Sequence, residues 1–224
     1  MSSKTNYPFS DKLEYEIKSA TNFDFYVRIP DWVKTDKATI RVGNGRTERL
    51  SPSNGLQRVK VKSGATKVKI QLPMTISTVN RNGTIGVYNG PLLYAADIKY
   101  AETSHAPLNW TDRKPLPDIE VDARSRDHIL EPTSGWRFAI DPATLKVKQH
   151  GTTNKLPNPV FTRDSVPVSL QVDAYPIDWP VELDTAALPP VDPVVDKSQK
   201  VKLKLIPFGA AKLHIAQFPV AKYE

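Results

Sequence analysis

Arg81-Asn82-Gly83-Thr84-Ile85-Gly86-Val87-Tyr88-Asn89-Gly90-Pro91-Leu92-Leu93-Tyr94-Ala95-Ala96-Asp97 is the stretch that decides the fold. An Asn-Gly turn feeds an apolar run, Asn89-Gly90-Pro91 breaks it, and a second apolar run follows. Asn and Gly supply the backbone conformations of a tight hairpin turn, and neither Asn82-Gly83 nor Gly43-Asn44-Gly45 opens a helix. The stretch therefore reads as turn, strand, break and strand.

Working outward, the same grammar repeats. Leu13-Glu14-Tyr15-Glu16-Ile17 and Phe23 to Ile29 alternate apolar with polar, and Pro30-Asp31-Trp32 ends the second run. Ala38 to Val42, Gln57 to Val61 and Lys67 to Leu72 follow, separated by Gly43-Asn44-Gly45 and Ser63-Gly64, and Pro73 closes the last. Alternation with period two marks strands with one buried and one wet face. Turn signals at roughly ten-residue spacing mark a β-sandwich. Beyond the break, Leu92 to Ile98, Trp136 to Ile140, Val166 to Ala174, Lys200 to Ile206 and Leu213 to Phe218 read as strands. No stretch reads as a helix.

The sequence thus predicts an all-β chain of two consecutive antiparallel, jelly-roll-like β-sandwich units. Residues 1–98 form the first, 99–118 a linker or lid, and 119–224 the second. The Pro-bearing stretch Glu102 to Asp118 is too long and too polar for an ordinary connection.

The chain has 224 residues, a formal net charge of +7 and no cysteine. Disulfides, thiolate metal sites and a cysteine nucleophile are excluded. No apolar run is long enough to cross a bilayer, so no membrane partner is expected. Met1 to Asn6 carries no apolar stretch behind its charge, which predicts no secretory signal and a cytoplasmic chain. A fragment of a secreted hydrolase would instead be extracellular. Lys200, Lys202 and Lys204, like Arg58, Lys60 and Lys62, alternate with apolar residues and read as solvated strand faces. A polyanion site is the minor alternative, and no nucleic-acid motif supports a nucleic-acid partner.

Several segments, in order, resemble the β-rich region after the catalytic barrel of β-L-arabinofuranosidase-type glycoside hydrolases (family 127). They are Tyr7-Pro8-Phe9, Phe25 to Trp32, Ala38 to Gly45, Leu72-Pro73-Met74, Gly90-Pro91-Leu92-Leu93-Tyr94-Ala95, Trp136 to Asp141 and Ile206 to Ile215. The resemblance implies the family's C-terminal β-sandwich region without its barrel. In that family the catalytic glutamate and a cysteine-bound zinc lie on the barrel, so no catalytic residue carries over and no metal or other cofactor is expected. The implied role is a non-catalytic accessory module that packs on a catalytic domain or partner subunit, or contacts carbohydrate. The alternative is a stand-alone enzyme whose inter-unit pocket performs metal-free isomerisation or cyclisation of a small molecule.

Four residues are the candidate ligand contacts: Trp110 and Asp112 in the long polar loop, and Asp178 and Trp179 before Pro180. Indole faces stack on sugar rings, and loop aromatics beside carboxylates are placed for binding. Trp32 and Trp136 lie in or beside alternating runs and read as core. Asp118, Glu120 and Asp122 share one face of an alternating run at a spacing compatible with paired carboxylates. A solvated acidic face is the simpler reading. The four histidines have no metal-ligand spacing. Asp127 and His128 are neighbours, which on a strand puts them on opposite faces.

Overall fold

The computed structural model describes residues 1–118, 121–150 and 156–223. It is all-β, with only short 3₁₀ turns, such as Lys197–Gln199, beside its strands. No helix among the described residues is long and apolar enough to cross a membrane.

The first seven strands are β1 (Ser2–Thr5), β2 (Lys12–Ser19), β3 (Phe23–Arg28), β4 (Thr39–Val42), β5 (Thr47–Arg49), β6 (Leu56–Val61) and β7 (Gly64–Gln71). An antiparallel sheet in the order β1-β2-β7-β4-β5 faces the β3-β6 pair. The predicted alternation sets the sides. In β6, Val59 and Val61 turn inward while Arg58 and Lys60 face solvent, and β7 does the same with Val68, Ile70, Lys67 and Lys69. With Ile17, Val27, Ile40 and Leu72 these valines and isoleucines make one continuous core. Burying each such side chain contributes about 1.5–3 kcal/mol.

Then come β8 (Ile76–Arg81), β9 (Thr84–Asn89), β10 (Leu92–Ala96), β11 (Tyr100–His105), β12 (Asp127–Pro132), β13 (Phe138–Gln149) and β14 (Val168–Pro176). They are followed by β15 (Val181–Glu182), β16 (Thr185–Ala186), β17 (Val201–Pro207) and β18 (Phe218–Pro219). The second large sheet runs β13-β14-β17-β10-β9-β18, with β8 on the other edge of β9. Val220 bridges to Ile140 on β13, and Ala221 N donates to Ile140 O at 2.9 Å. The C-terminal segment thus ties the two ends of this sheet together around a second core of Val87, Tyr94, Leu170, Val172, Leu205 and Phe218.

The opening stretch behaves as read. Arg81 pairs with Thr84, leaving Asn82 and Gly83 as a two-residue turn with φ of 51° and 82°. Asn89 pairs with Leu92, leaving Gly90 and Pro91 as the next turn, with Gly90 at φ 55°. Positive φ at the first central position is what such hairpin turns require of Gly. Sheet membership changes at Pro73 to Thr75: β1–β7 pair among themselves, and β8–β10 pair in the second sheet, so residues 1–98 contribute to both. At the seam Phe9 meets Phe161, with ring centroids 5.4 Å apart.

Three segments differ from the sequence reading. Tyr100–His105, in the stretch read as linker or lid, pairs with Asp127–Pro132 as a solvent-exposed hairpin. Leu213 to Phe218 is not a regular strand: only Phe218–Pro219 pairs in a ladder, while Leu213 and Ile215 still pack on the core. Trp136 precedes its strand, which starts at Phe138 and runs on to Gln149.

Candidate functional site

The four expected contact residues do not share an environment. Trp110 is 88% exposed on a turn closed by Asn109 N to Lys114 O, with the Arg113 guanidinium 5.4 Å from its ring. Asp112 is exposed on the same turn and accepts from Lys114 N at 3.1 Å. Asp178 is exposed. Trp179, expected to stand free in a loop, is instead 2% exposed. Its Nε1 donates to Ala187 O at 2.8 Å, and an indole N–H buried without an acceptor would be costly. The cause is packing: Trp179 is a plug between the Trp136 ring and Ala187, at the foot of the β15–β16 hairpin.

That plug supports a different tryptophan. Trp136 meets Trp179 edge to face, centroids 5.5 Å apart at 62°. It packs on the second core and also lines a cleft of about 220 Å³. Val181, Leu213 and Ile215 give the cleft apolar walls, Leu130 and Pro132 of β12 close one side, and Asp184, Thr185 and His214 supply polar edges. His214 Nδ1 lies 3.2 and 3.1 Å from the carbonyl oxygens of Ala211 and Lys212. Both are acceptors, so Nδ1 carries the proton and Nε2 holds the lone pair of the neutral ring. The Trp136 indole shares this cleft wall with a carboxylate, a hydroxyl and an imidazole, and the Arg137 guanidinium lies 5.1 Å from its ring centroid.

Beside the cleft, one face of the β11–β12 hairpin carries an ionic cluster. Glu102 lies opposite Leu130, and Ser104 opposite His128, so these side chains share that face. Lys212 Nζ reaches both Glu102 oxygens at 2.8 and 2.9 Å, and His128 Nδ1 lies 2.7 Å from Glu102 Oε1. The carboxylate partner of His128 is Glu102 across the hairpin, not its neighbour Asp127. The Lys212 ammonium, with help from His128, holds the Glu102 carboxyl below the usual carboxylate range. The other displaced carboxyls, Glu14, Asp24, Asp122, Asp173 and Asp196, are also displaced downward. A general acid poised near neutrality requires displacement the other way.

The expected acidic face resolves into ion pairs. Asp118 accepts from Arg126 Nη1 at 2.8 Å, and Asp122 pairs with Arg124 at 3.0 Å while accepting from its backbone N–H. Ile119 and Glu120 lie outside the described residues. No group of three or more His, Asp or Glu side chains that could hold a metal is found among the described residues. With no cysteine in the chain, a cysteine-held zinc does not fit on these residues.

The alternating run around Trp136 marks it as a core residue, and it also lines the cleft. Its position after Ser134-Gly135, just outside a ladder, was the available signal. Glu102 and Lys212 are 110 residues apart, and nothing in the sequence links them.

Residues 1–74 match the family model described as the β-L-arabinofuranosidase, GH127 middle domain. No curated protein matches the chain in sequence. A solved structure titled glycoside hydrolase is similar over 98% of this chain and 32% of its own, with 18% identity and a TM-score of 0.57. The GH127 β-L-arabinofuranosidase of Geobacillus stearothermophilus T6 is similar over 99% and 30%, with 16% identity and a TM-score of 0.54. A GH127 β-arabinofuranosidase is similar over 97% and 31%, with 17% identity and a TM-score of 0.54. The chain spans about a third of the length of these structures. At such identities the likeness establishes a shared β fold.

Proposed function

We propose that the chain is the accessory β-sandwich module of a GH127-like hydrolase, the C-terminal β region of a larger assembly. It packs on a catalytic domain and contacts carbohydrate at the Trp136 cleft. The observation that carries this reading is the asymmetry of coverage: nearly all of this chain corresponds to about a third of each hydrolase chain. The division of labour follows, with bond cleavage on the barrel and support on the β module. In this reading the protein is found wherever the enzyme that carries it is found.

Exposed apolar side chains support the packing role. Leu183 is 99% exposed at the β15–β16 tip and Leu188 is 90% exposed, with Val191 and Val194 more than half exposed nearby. Such a run within twelve residues is the composition of a surface that is covered in an assembly. The sugar contact is tested by tryptophan fluorescence during titration with L-arabinofuranosyl oligosaccharides. A saturable change that disappears in Trp136→Ala and persists in Trp110→Ala is expected, with no release of arabinose by the chain alone. Arabinose release by the isolated chain, or a signal that survives Trp136→Ala, would overturn the proposal.

A further inference from the structure

The outer face of the second sheet carries a cationic ladder that the cleft does not use. Strand register builds it. Lys146 of β13, Gln171 of β14 and Lys204 of β17 lie directly opposite one another and therefore share a face. The next positions are Asp173 with Lys202 on one side and Lys148 with Ser169 on the other. Cations on this face stand about 7 Å apart along a strand and about 10 Å apart across two strands.

The carboxylates here are already engaged. Asp173 is held by Lys202 and, at 3.5 Å, by Lys200. Asp97 is held by Arg163 at 2.5 Å and Lys204 at 3.1 Å. Asp141 accepts from the Tyr223 hydroxyl at 2.9 Å. These contacts fix Lys202, Lys204 and Arg163 in place. Lys146 and Lys148, both exposed, have no ion-pair partner among the described residues. Six cations against three carboxylates leave a positive face on a chain of net charge +7.

We infer that this face binds an acidic glycan, a linear chain bearing carboxylates such as a uronate polymer. Cations in register on neighbouring strands, with the Gln171 side chain between them, suit a polymer with repeated carboxylates. Nucleic acid fits less well, because sheet faces that bind it present rings for base stacking. None of the residues in these rows is aromatic, and the flanking Tyr223 ring already carries Lys197 Nζ 4.7 Å from its centroid. The site stands apart from the Trp136 cleft and does not depend on the accessory role.

The test is native gel electrophoresis of the full chain through gels containing polygalacturonate, neutral arabinan or single-stranded DNA. Polygalacturonate is expected to retard the protein, with an affinity that falls as salt rises. The double variant K146Q/K148Q should weaken that binding by about tenfold. The charge-matched K18Q/K67Q on the first sheet should leave it nearly unchanged. Equal loss in both doubles would reduce the effect to net charge and overturn the site. So would absence of retardation by polygalacturonate, or stronger retardation by DNA. Arabinan retardation that survives K146Q/K148Q reports on the cleft alone, so the two proposals fail separately.

Discussion

The indole rings of Trp136 and Trp179 meet edge to face, 5.5 Å between centroids, with Trp179 buried and Trp136 on a cleft wall. One ring holds the fold and the other presents a surface. Trp179 also anchors the β15–β16 hairpin, because its Nε1 donates to Ala187 O just past the hairpin's end.

Trp179 and Trp110 therefore have opposite mutational weights. Trp179→Ala should cost about 3–5 kcal/mol, the range for emptying an aromatic core site. Trp110→Ala, at an 88% exposed position, should fall within about 0.5 kcal/mol of the parent. Urea unfolding of the two variants side by side checks both.

The β15–β16 tip is strained. Leu183 and Asp184 occupy its two turn positions with φ of 49° and 60°, where a leucine side chain crowds its own backbone. Replacing the pair with Asn-Gly, the preferred sequence for such a turn, should stabilise the isolated chain by about 1 kcal/mol. In the proposed assembly the same change should weaken association, because Leu183 is lost from the covered surface. Thermal melts of the chain and a pull-down of its partner separate the two effects.

Gly90 is a tighter constraint. A Cβ there would lie 2.7 Å from Met74 Cγ on a backbone already at φ 55°. Gly90→Ala should destabilise by about 1–3 kcal/mol, and adding Met74→Ala should relieve only the steric part.

Tyr94 offers a test with the opposite sign. Its ring is fully buried and its hydroxyl has no hydrogen-bond partner of good geometry among the described residues, although the Asn89 side chain lies nearby. Burial pushes the hydroxyl up to about 12. Tyr94→Phe removes the polar atom and keeps the ring, so stability should be unchanged or higher by up to about 1 kcal/mol in denaturant unfolding.

Acid should loosen the β11–β12 hairpin. The folded pKa of Glu102 lies below its unfolded value, chiefly through Lys212, so its contribution is present above the ordinary carboxylate range of about 4.3. That contribution is lost as pH falls through the lower folded value. The melting-temperature gap between the parent and Glu102→Gln should be open at about pH 6 and should narrow as the pH falls below the ordinary carboxylate range. A gap unchanged across that range would show that the cluster contributes nothing.

The fold was legible wherever burial imposed a period. The Lys-Val alternation of Leu56–Val61 and Gly64–Gln71 fixed which side faces the core, and Asn82-Gly83 and Gly90-Pro91 fixed the hairpin turns. Tyr100–His105 and Asp127–Pro132 escaped notice because that hairpin is largely solvent-exposed and leaves no apolar stripe. Leu213 and Ile215 misled in the other direction, since two inward residues around an outward His214 imitate a strand without a ladder. The site was less legible than the fold. Trp179 looked free because Asp178 and Pro180 flank it in sequence, and only the packing of Trp136 shows what covers it.

The measurement that bears most directly on the accessory role is the intact mass of the native species carrying this sequence, recovered without denaturation. A mass well above 25.0 kDa is expected, either as one longer chain with a catalytic domain or as a complex with a hydrolase subunit. A free 25.0 kDa species with no partner would contradict it.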